Sequence, residues 1–253
     1  MRKLSMALLA GVALVGCGVD QEAENQQIIA NLLQAGYQAD DIMVVDGQVY
    51  AGRDAAVNLQ ASEEMLQTDG SKEQYRTNNL VGTTVTKICV NPTSTFNSYS
   101  RLSQGLDLAI ANYNALGLRI TFARGPTTGC TANITAKTTT GTGGSAGFPS
   151  GGLPYGTINI GTGLQSYSVD VNEHVITHEL GHTIGFRHSD YYNRAISCGG
   201  SASNEGDAGV GAVLIPGTPS TATVGGSIMN ACFRSTETGE WTSSDITALN
   251  YLY

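Results

Sequence analysis

Three of the four histidines in the chain could bind a single metal ion. They are His178, His182 and His188. A helix would place His178 and His182 one turn apart on the same face, and Gly185 would let the chain turn so that His188 reaches the same ion. Three imidazoles leave a fourth position for water, which is typical of a catalytic zinc site. Glu179 stands beside the first histidine, so the pattern predicts hydrolysis by metal-activated water with Glu179 as the general base.

The run HELGHTIGFRH over residues 178–188 has the spacing HExxHxxGxxH and resembles the signature of the metzincin zinc endopeptidases. The run SIMN over 227–230 resembles their Met-turn, which implies that Met229 forms an apolar floor under the histidines. Within this clan the chain resembles the dual-action HEIGH metallopeptidases, with Leu180 in place of the motif's Ile. The resemblance implies a zinc endopeptidase with one catalytic Zn²⁺, whose partners are protein or peptide substrates.

The resemblance also implies the fold. We expect an α/β metzincin-like catalytic domain with a twisted mixed sheet, an active-site helix, a Met-turn and a C-terminal helix, preceded by a small α+β propeptide. The alternating strand before the active-site helix resembles the metzincin edge strand, which could bind extended substrate by β-augmentation. Its residues are Gly156, Thr157, Ile158, Asn159 and Ile160.

Hydrophobic spacing predicts the elements that position these residues. Helices are expected over 100–116, 171–185 and 243–252, and strands over 84–90, 118–123, 132–138 and 155–160. Residues 140–152 are rich in glycine and predict a loop. Nearer the N-terminus, the pattern indicates a helix over 21–35 capped by Gly36, two strands around the Asp46-Gly47 turn, and a helix over 54–67.

Charge divides the chain into unequal parts. The net charge is −8, and residues 18–79 carry 3 basic and 11 acidic side chains, whereas residues 80–253 carry 8 and 10. We therefore predict a signal peptide over 1–17, an acidic propeptide over 18–79 and a catalytic domain over 80–253. The acidic balance argues against a nucleic-acid partner, which requires a basic surface.

The N-terminus has the order of an export signal: Arg2 and Lys3, an apolar run, and then small residues. The run Leu14 to Cys17 resembles a bacterial lipobox, which implies lipidation of Cys17 and membrane attachment through that lipid alone. The alternative is an ordinary signal peptide with an incidental cysteine. We expect an exported monomer, anchored to the bacterial envelope or released after maturation.

The other four cysteines are an even number in an exported chain, which indicates disulfides. Three pairings are possible, and we favour the sequential one. It joins Cys89 to Cys130 and Cys198 to Cys232. A cysteine metal site is disfavoured because no CxxC spacing occurs.

Several residues keep two interpretations. His174 could line the cleft or bind the metal, although a surface or supporting role is favoured. Asp190 could orient His188 or cap a turn. A propeptide aspartate such as Asp46, or steric cover alone, could keep the enzyme latent. A Ca²⁺ site is possible but unsupported, with Glu205 and Asp207 as weak ligand candidates.

Two other functions compete with proteolysis. A surface lipoprotein could bind zinc without catalysis, as an adhesin or binding module, and a zinc hydrolase could act on a non-peptide amide. Glu179 favours the enzyme because metal binding alone does not require it.

Overall fold

The computed structural model describes residues 17–35, 37–52, 54–64, 66, 74–205, 212–219 and 221–253. Residues 14–16 of the lipobox-like run, Gly36 and Asp207 lie outside this part of the chain. Cys17 is described only as the first residue of a helix.

The described residues form seven α-helices and ten strands. The helices are α1 (Cys17–Gln34), α2 (Leu59–Glu64), α3 (Ser94–Ser98), α4 (Ser100–Ala115), α5 (Val169–Thr183), α6 (Ala195–Cys198) and α7 (Ser243–Leu252). The strands are β1 (Ile42–Val45), β2 (Gln48–Ala51), β3 (Ala55–Val57), β4 (Tyr75–Arg76), β5 (Lys87–Pro92), β6 (Thr121–Arg124), β7 (Ala132–Thr139), β8 (Gly144–Gly147), β9 (Thr157–Gly161) and β10 (Val213–Leu214).

Eight strands form one mixed sheet in the order β1-β2-β3-β8-β9-β7-β5-β6. Strands β6, β5, β7 and β9 run parallel, and β8 is antiparallel to β9. The antiparallel strands β1, β2 and β3 join this sheet because β3 pairs in parallel with β8. The α/β class and the mixed sheet expected from the sequence are confirmed, and the acidic N-terminal segment extends the same sheet.

Helices α4 and α5 pack closely together. A Cβ added at Gly105 would lie 2.8 Å from the backbone nitrogen of Glu173, so this glycine permits the close approach. Helix α5 begins where the Ser168 hydroxyl accepts a hydrogen bond from the Val171 N–H. Every residue of α5 from Val171 to Thr183 is buried, so the helix that carries the predicted metal ligands lies in the centre of the molecule.

The C-terminal helix α7 begins with a capping box. The Thr242 side chain accepts a hydrogen bond from the Asp245 N–H, and the Asp245 carboxylate accepts one from the Thr242 N–H. The predicted helices over 100–116, 171–185 and 243–252 are confirmed within two residues at each end. Their amphipathic patterns are local, and capping fixes where they begin.

Two element predictions are wrong. The predicted helix over 54–67 begins instead with β3, because residues 55–57 pair with β2 and β8. The predicted loop over 140–152 contains β8. The two strands pair with each other across about 90 residues of sequence, and local periodicity does not reveal such a pairing.

Residues 74–79 contact the second half of the chain closely. Strand β4 pairs with β10, the Thr77 N–H donates to the Gly185 carbonyl, and the Arg187 N–H donates to the Tyr75 carbonyl. The sequence analysis had placed these residues in the propeptide.

The sequential disulfide pairing is confirmed by bonds joining Cys89 to Cys130 and Cys198 to Cys232. Among the described residues, no helix combines the length and the apolar character needed to cross a bilayer.

Candidate metal centre

Helix α5 brings the first two histidines together. The rings of His178 and His182 lie on one face, with centroids 4.7 Å apart. The Nδ1 of His178 is 2.8 Å from the Ile228 carbonyl oxygen, and the Nδ1 of His182 is 2.8 Å from that of Phe186. Because a carbonyl only accepts, each Nδ1 carries the proton and each Nε2 keeps a lone pair.

The third histidine reaches the same point because the chain turns sharply after α5. Gly185 has φ +110°, and an added Cβ would lie 2.8 Å from the Asn79 carbonyl oxygen, so only glycine suits this turn. The ring of His188 then lies 5.2 Å from that of His178 and 4.9 Å from that of His182. The structure therefore contains the predicted turn at Gly185, which brings His188 back to the other two histidines.

A fourth possible ligand comes from the acidic segment. Asp54, which directly precedes β3, points into the cluster with its Oδ2 3.0 Å from the Nε2 of His188. One ligand atom from each of Asp54, His178, His182 and His188 lies within 4.8 Å of the others. The Nε2 of His182 is buried and has no hydrogen-bond partner among the described residues. Three imidazoles and a carboxylate are a donor set that suits zinc.

Burial sets the charge of these groups. Burial and, after it, the neighbouring imidazoles lower the pKa of His178 well below its usual value and that of His182 to about 4. Both rings are therefore neutral at pH 7, which is the form that binds metal. Burial also lowers the pKa of His188, but the carboxylates of Asp54 and Glu205 outweigh it and raise that pKa.

The predicted general base lies beside the cluster. Glu179 is buried, and its Oε2 has no hydrogen-bond partner among the described residues. Burial, together with the charge of Asp54, raises the pKa of Glu179 well above its usual value. A Cβ added at Gly144 of β8 would overlap Oε1 of Glu179, so β8 holds this carboxylate against α5.

Met229 lies directly under α5. Its Sδ is 2.6 Å from the position of a Cβ at Gly181, so a side chain at 181 would displace it. The turn is anchored by Asp245, whose carboxylate accepts hydrogen bonds from the Ser227 hydroxyl and the Ile228 N–H. Because the Ile228 carbonyl holds His178, the turn fixes one histidine as well as forming the floor.

Asp190 turns out to be a turn cap. Its carboxylate accepts hydrogen bonds from the Ser197 hydroxyl at 2.6 Å, the Ser197 N–H at 3.2 Å and the Ala231 N–H at 2.9 Å. The group at the Nδ1 of His188 is instead Glu205, at 2.6 Å. The sequence analysis considered Glu205 only as a weak calcium ligand, and its place in an irregular stretch gave no signal of this role.

His174 is buried, so a surface position is wrong. Its Nδ1 lies 3.9 Å from a carboxylate oxygen of Glu237, and its ring is not part of the histidine cluster. It borders a cavity of about 270 Å³ beside the cluster, which Val175, Ala231 and Phe233 also line.

The predicted edge strand is wrong. Residues 157–161 form β9, which pairs with β7 on one side and β8 on the other, so Gly156 to Ile160 have no free edge for a substrate. Strand β8 ends the catalytic part of the sheet, and β3 of the acidic segment pairs with it. A Cβ added at Gly147 of β8 would overlap the Ala56 carbonyl oxygen.

Comparison with known proteins places this geometry in context. The sequence profile of the dual-action HEIGH metallopeptidases matches residues 49–253. High choriolytic enzyme 1, a hatching-enzyme zinc protease of the medaka fish Oryzias latipes, is similar in structure, at 15% identity and a TM-score of 0.39 over 74% of this chain and 98% of that one. Myroilysin is similar at 17% identity and a TM-score of 0.40 over 68% and 95% of the two chains. No curated protein matches the sequence.

Proposed function

Since the chain belongs to the dual-action HEIGH metallopeptidase family, we propose that it is a zinc-dependent endopeptidase in which Glu179 is the general base. The observation that carries this proposal is the meeting of three buried histidines with Glu179 beside them. Glu179 lies on the face of α5 that β8 covers, so one strand edge and one carboxylate flank the same centre.

A zinc ion held by His178, His182 and His188 supplies Lewis acidity, which polarises a carbonyl and lowers the pKa of water toward about 7. Glu179 takes one proton from the attacking water while the oxygen of that water bonds to the scissile carbonyl carbon. It then gives that proton to the amide nitrogen as the C–N bond breaks.

The edge of strand β8 favours peptide substrates. An extended peptide can pair with a sheet edge through the peptide backbone, even where the peptide continues beyond the paired segment in both directions. This mode of binding suits cleavage inside a chain, and the adjacent cavity then receives one side chain next to the scissile bond.

The test compares Glu179→Gln with the wild type in chains that lack residues 1–73 and so keep the contacts of residues 74–79, with casein as substrate and zinc measured in the same samples. Glu173→Gln is the matched control, because Glu173 is a second buried glutamate of α5 and bonds to Asn112 of α4. We expect hydrolysis by the wild type and the control, and loss of at least about 100-fold in Glu179→Gln at equal zinc. Equal zinc and no hydrolysis in any of the three would favour the non-catalytic binding protein.

We also propose that the acidic segment keeps the enzyme latent. Asp54 offers a carboxylate oxygen beside the three imidazoles, whereas a catalytic zinc site keeps its fourth position for water, and β3 pairs with the edge that substrate would use. Asp46, the aspartate considered from the sequence, lies in the exposed β1–β2 turn. The contacts of residues 74–79 with the catalytic unit favour a mature chain that keeps them.

Export and lipid attachment at Cys17 are part of the same proposal. They are supported by the basic, apolar and small residues that precede Cys17. Two disulfides also suit an oxidising compartment. Mass spectrometry of the chain from the producing cell tests this point, since a diacylated Cys17 as the first residue is the expected result.

A further inference from the structure

Glu205 is the group that distinguishes His188 from the other two histidines. His178 and His182 are fixed by backbone carbonyls, whereas the Nδ1 of His188 lies 2.6 Å from a carboxylate oxygen of Glu205. Glu205 is 2% exposed. Its carboxylate lies on the opposite side of the ring from the Nε2 that faces the cluster, so it is not itself a ligand candidate.

Two arginines hold this carboxylate in place. Arg194 donates to Oε1 at 2.5 Å, and Arg187 donates to Oε2 at 3.4 Å. Arg187 is itself fixed between two aromatic rings, with its guanidinium 4.7 Å from the ring centre of Tyr37 and 4.9 Å from that of Tyr191. A buried carboxylate with two cationic partners remains ionised and keeps one orientation.

His188 needs such a partner more than the others do. It lies after the sharp turn at Gly185, outside α5, which carries His178 and His182. An ionised carboxylate accepts only, so it holds the proton on Nδ1 and leaves Nε2 as the nitrogen that binds metal when its own proton is released. It also makes the imidazole a stronger donor to a metal ion than a carbonyl does.

We infer that Glu205 is a positioning residue that orients His188 and strengthens the binding of zinc at the three-histidine centre. This inference rests on the proposed function, because it takes the centre to be a zinc site. It adds a residue that acts through His188 and touches neither the substrate nor the ion.

The test measures zinc affinity directly, by competition with a chromogenic chelator, on the full-length chain. The variants are Glu205→Gln and Glu205→Ala. The matched control is Glu237→Gln, because Glu237 also holds an arginine, Arg234, and also faces a buried histidine, His174, outside the cluster. We expect the zinc Kd to rise about 10- to 100-fold in Glu205→Ala and by a smaller factor in Glu205→Gln, with less than about twofold change in Glu237→Gln.

A second readout follows the ligand geometry. Cobalt(II) in the centre should show a changed visible absorption spectrum in both Glu205 variants and the wild-type spectrum in the control. Glu205→Gln keeps the size of the side chain, so it decides the matter if Glu205→Ala fails to fold. Wild-type Kd and spectrum in a folded Glu205→Gln would overturn the inference while leaving the proposed function intact. Absence of zinc binding by the wild type would overturn both.

Discussion

The residues of the metal centre differ in how far their roles could be predicted. His178, Glu179 and His182 are related by the geometry of one helix, and Gly185 sets the turn that returns His188, so their spacing alone predicted the cluster. Asp54 and Glu205 meet His188 only through the tertiary fold. No local pattern marks a single acidic residue for such a contact, which is why both were missed.

Asp54 carries the first prediction at this scale. Asp54→Asn removes the negative charge opposite His188 and should weaken the hold of the acidic segment on the centre. We expect the unprocessed chain to cleave a quenched peptide at least about tenfold faster than the wild type. Asp46→Asn is the control, because Asp46 is an exposed aspartate of the same segment, and it should remain as slow as the wild type. An unprocessed Asp54→Asn chain that stays silent, while its processed form is active, would remove Asp54 from the account of latency.

Gly144 carries the second prediction. In Gly144→Ala the new methyl group would overlap Oε1 of Glu179 and displace the proposed general base. We expect kcat to fall at least about 100-fold while zinc content stays the same. Gly143→Ala is the neighbouring control, because a Cβ there meets no atom within 4 Å. Normal turnover by Gly144→Ala would show that the position of Glu179 against β8 is unimportant.

At the scale of elements, the error at β8 has a physical cause that is visible in the structure. Strand β8 is made of Gly144, Ser145, Ala146 and Gly147, which have low strand propensity. Its glycines are required because Glu179 and the Ala56 carbonyl approach too closely for a side chain. Close approach therefore outweighed local propensity, and the sequence pattern indicated a loop. The capped amphipathic helices contain no such conflict.

The disulfide between Cys198 and Cys232 ties α6 to the chain that follows the Met-turn, and Cys232 borders the cavity. Replacing both cysteines by alanine should lower the free energy of unfolding by about 3–4 kcal/mol, as expected for a closed loop of this length, and should also reduce activity. The matched control replaces Cys89 and Cys130, which close a loop of similar length away from the centre. Urea unfolding and peptide hydrolysis measure the two effects. Equal activity in both double variants would show that the Cys198–Cys232 bond does not support the activity of the site.

At the scale of the whole molecule, the acidic segment and the catalytic part have separate hydrophobic clusters. The cluster of the acidic segment comprises residues of α1, α2 and β2 to β3, together with Phe148 from the catalytic part. Phe148 also lies 5.7 Å from the ring of His182. Charge alone predicted an acidic unit of its own, but not this shared packing, because the contact depends on the pairing of β3 with β8.

Stability should depend on pH through Glu173. Burial raises the pKa of Glu173 to about 7 from its usual 4.5, so between these values the folded state holds a proton that the unfolded state releases. The contribution of protonated Glu173 to the free energy of unfolding is therefore complete below about pH 4.5, and it is lost as the pH rises through 7. Glu173→Gln should therefore match the wild type at pH 4 and exceed it by about 1 kcal/mol at pH 8, after allowance for screening by water. Denaturant unfolding at the two pH values checks this, and a variant that is equally or less stable at pH 8 would contradict it.

The most direct test of the whole account is metal removal and restoration in the processed enzyme. The substrate is an internally quenched peptide blocked at both ends, so that only an endopeptidase can cleave it. We predict that a chelator abolishes cleavage, that one equivalent of zinc restores it, and that magnesium does not. Cleavage that survives complete removal of metal, or a zinc-loaded, folded and processed enzyme that leaves the peptide intact, would contradict the central claim.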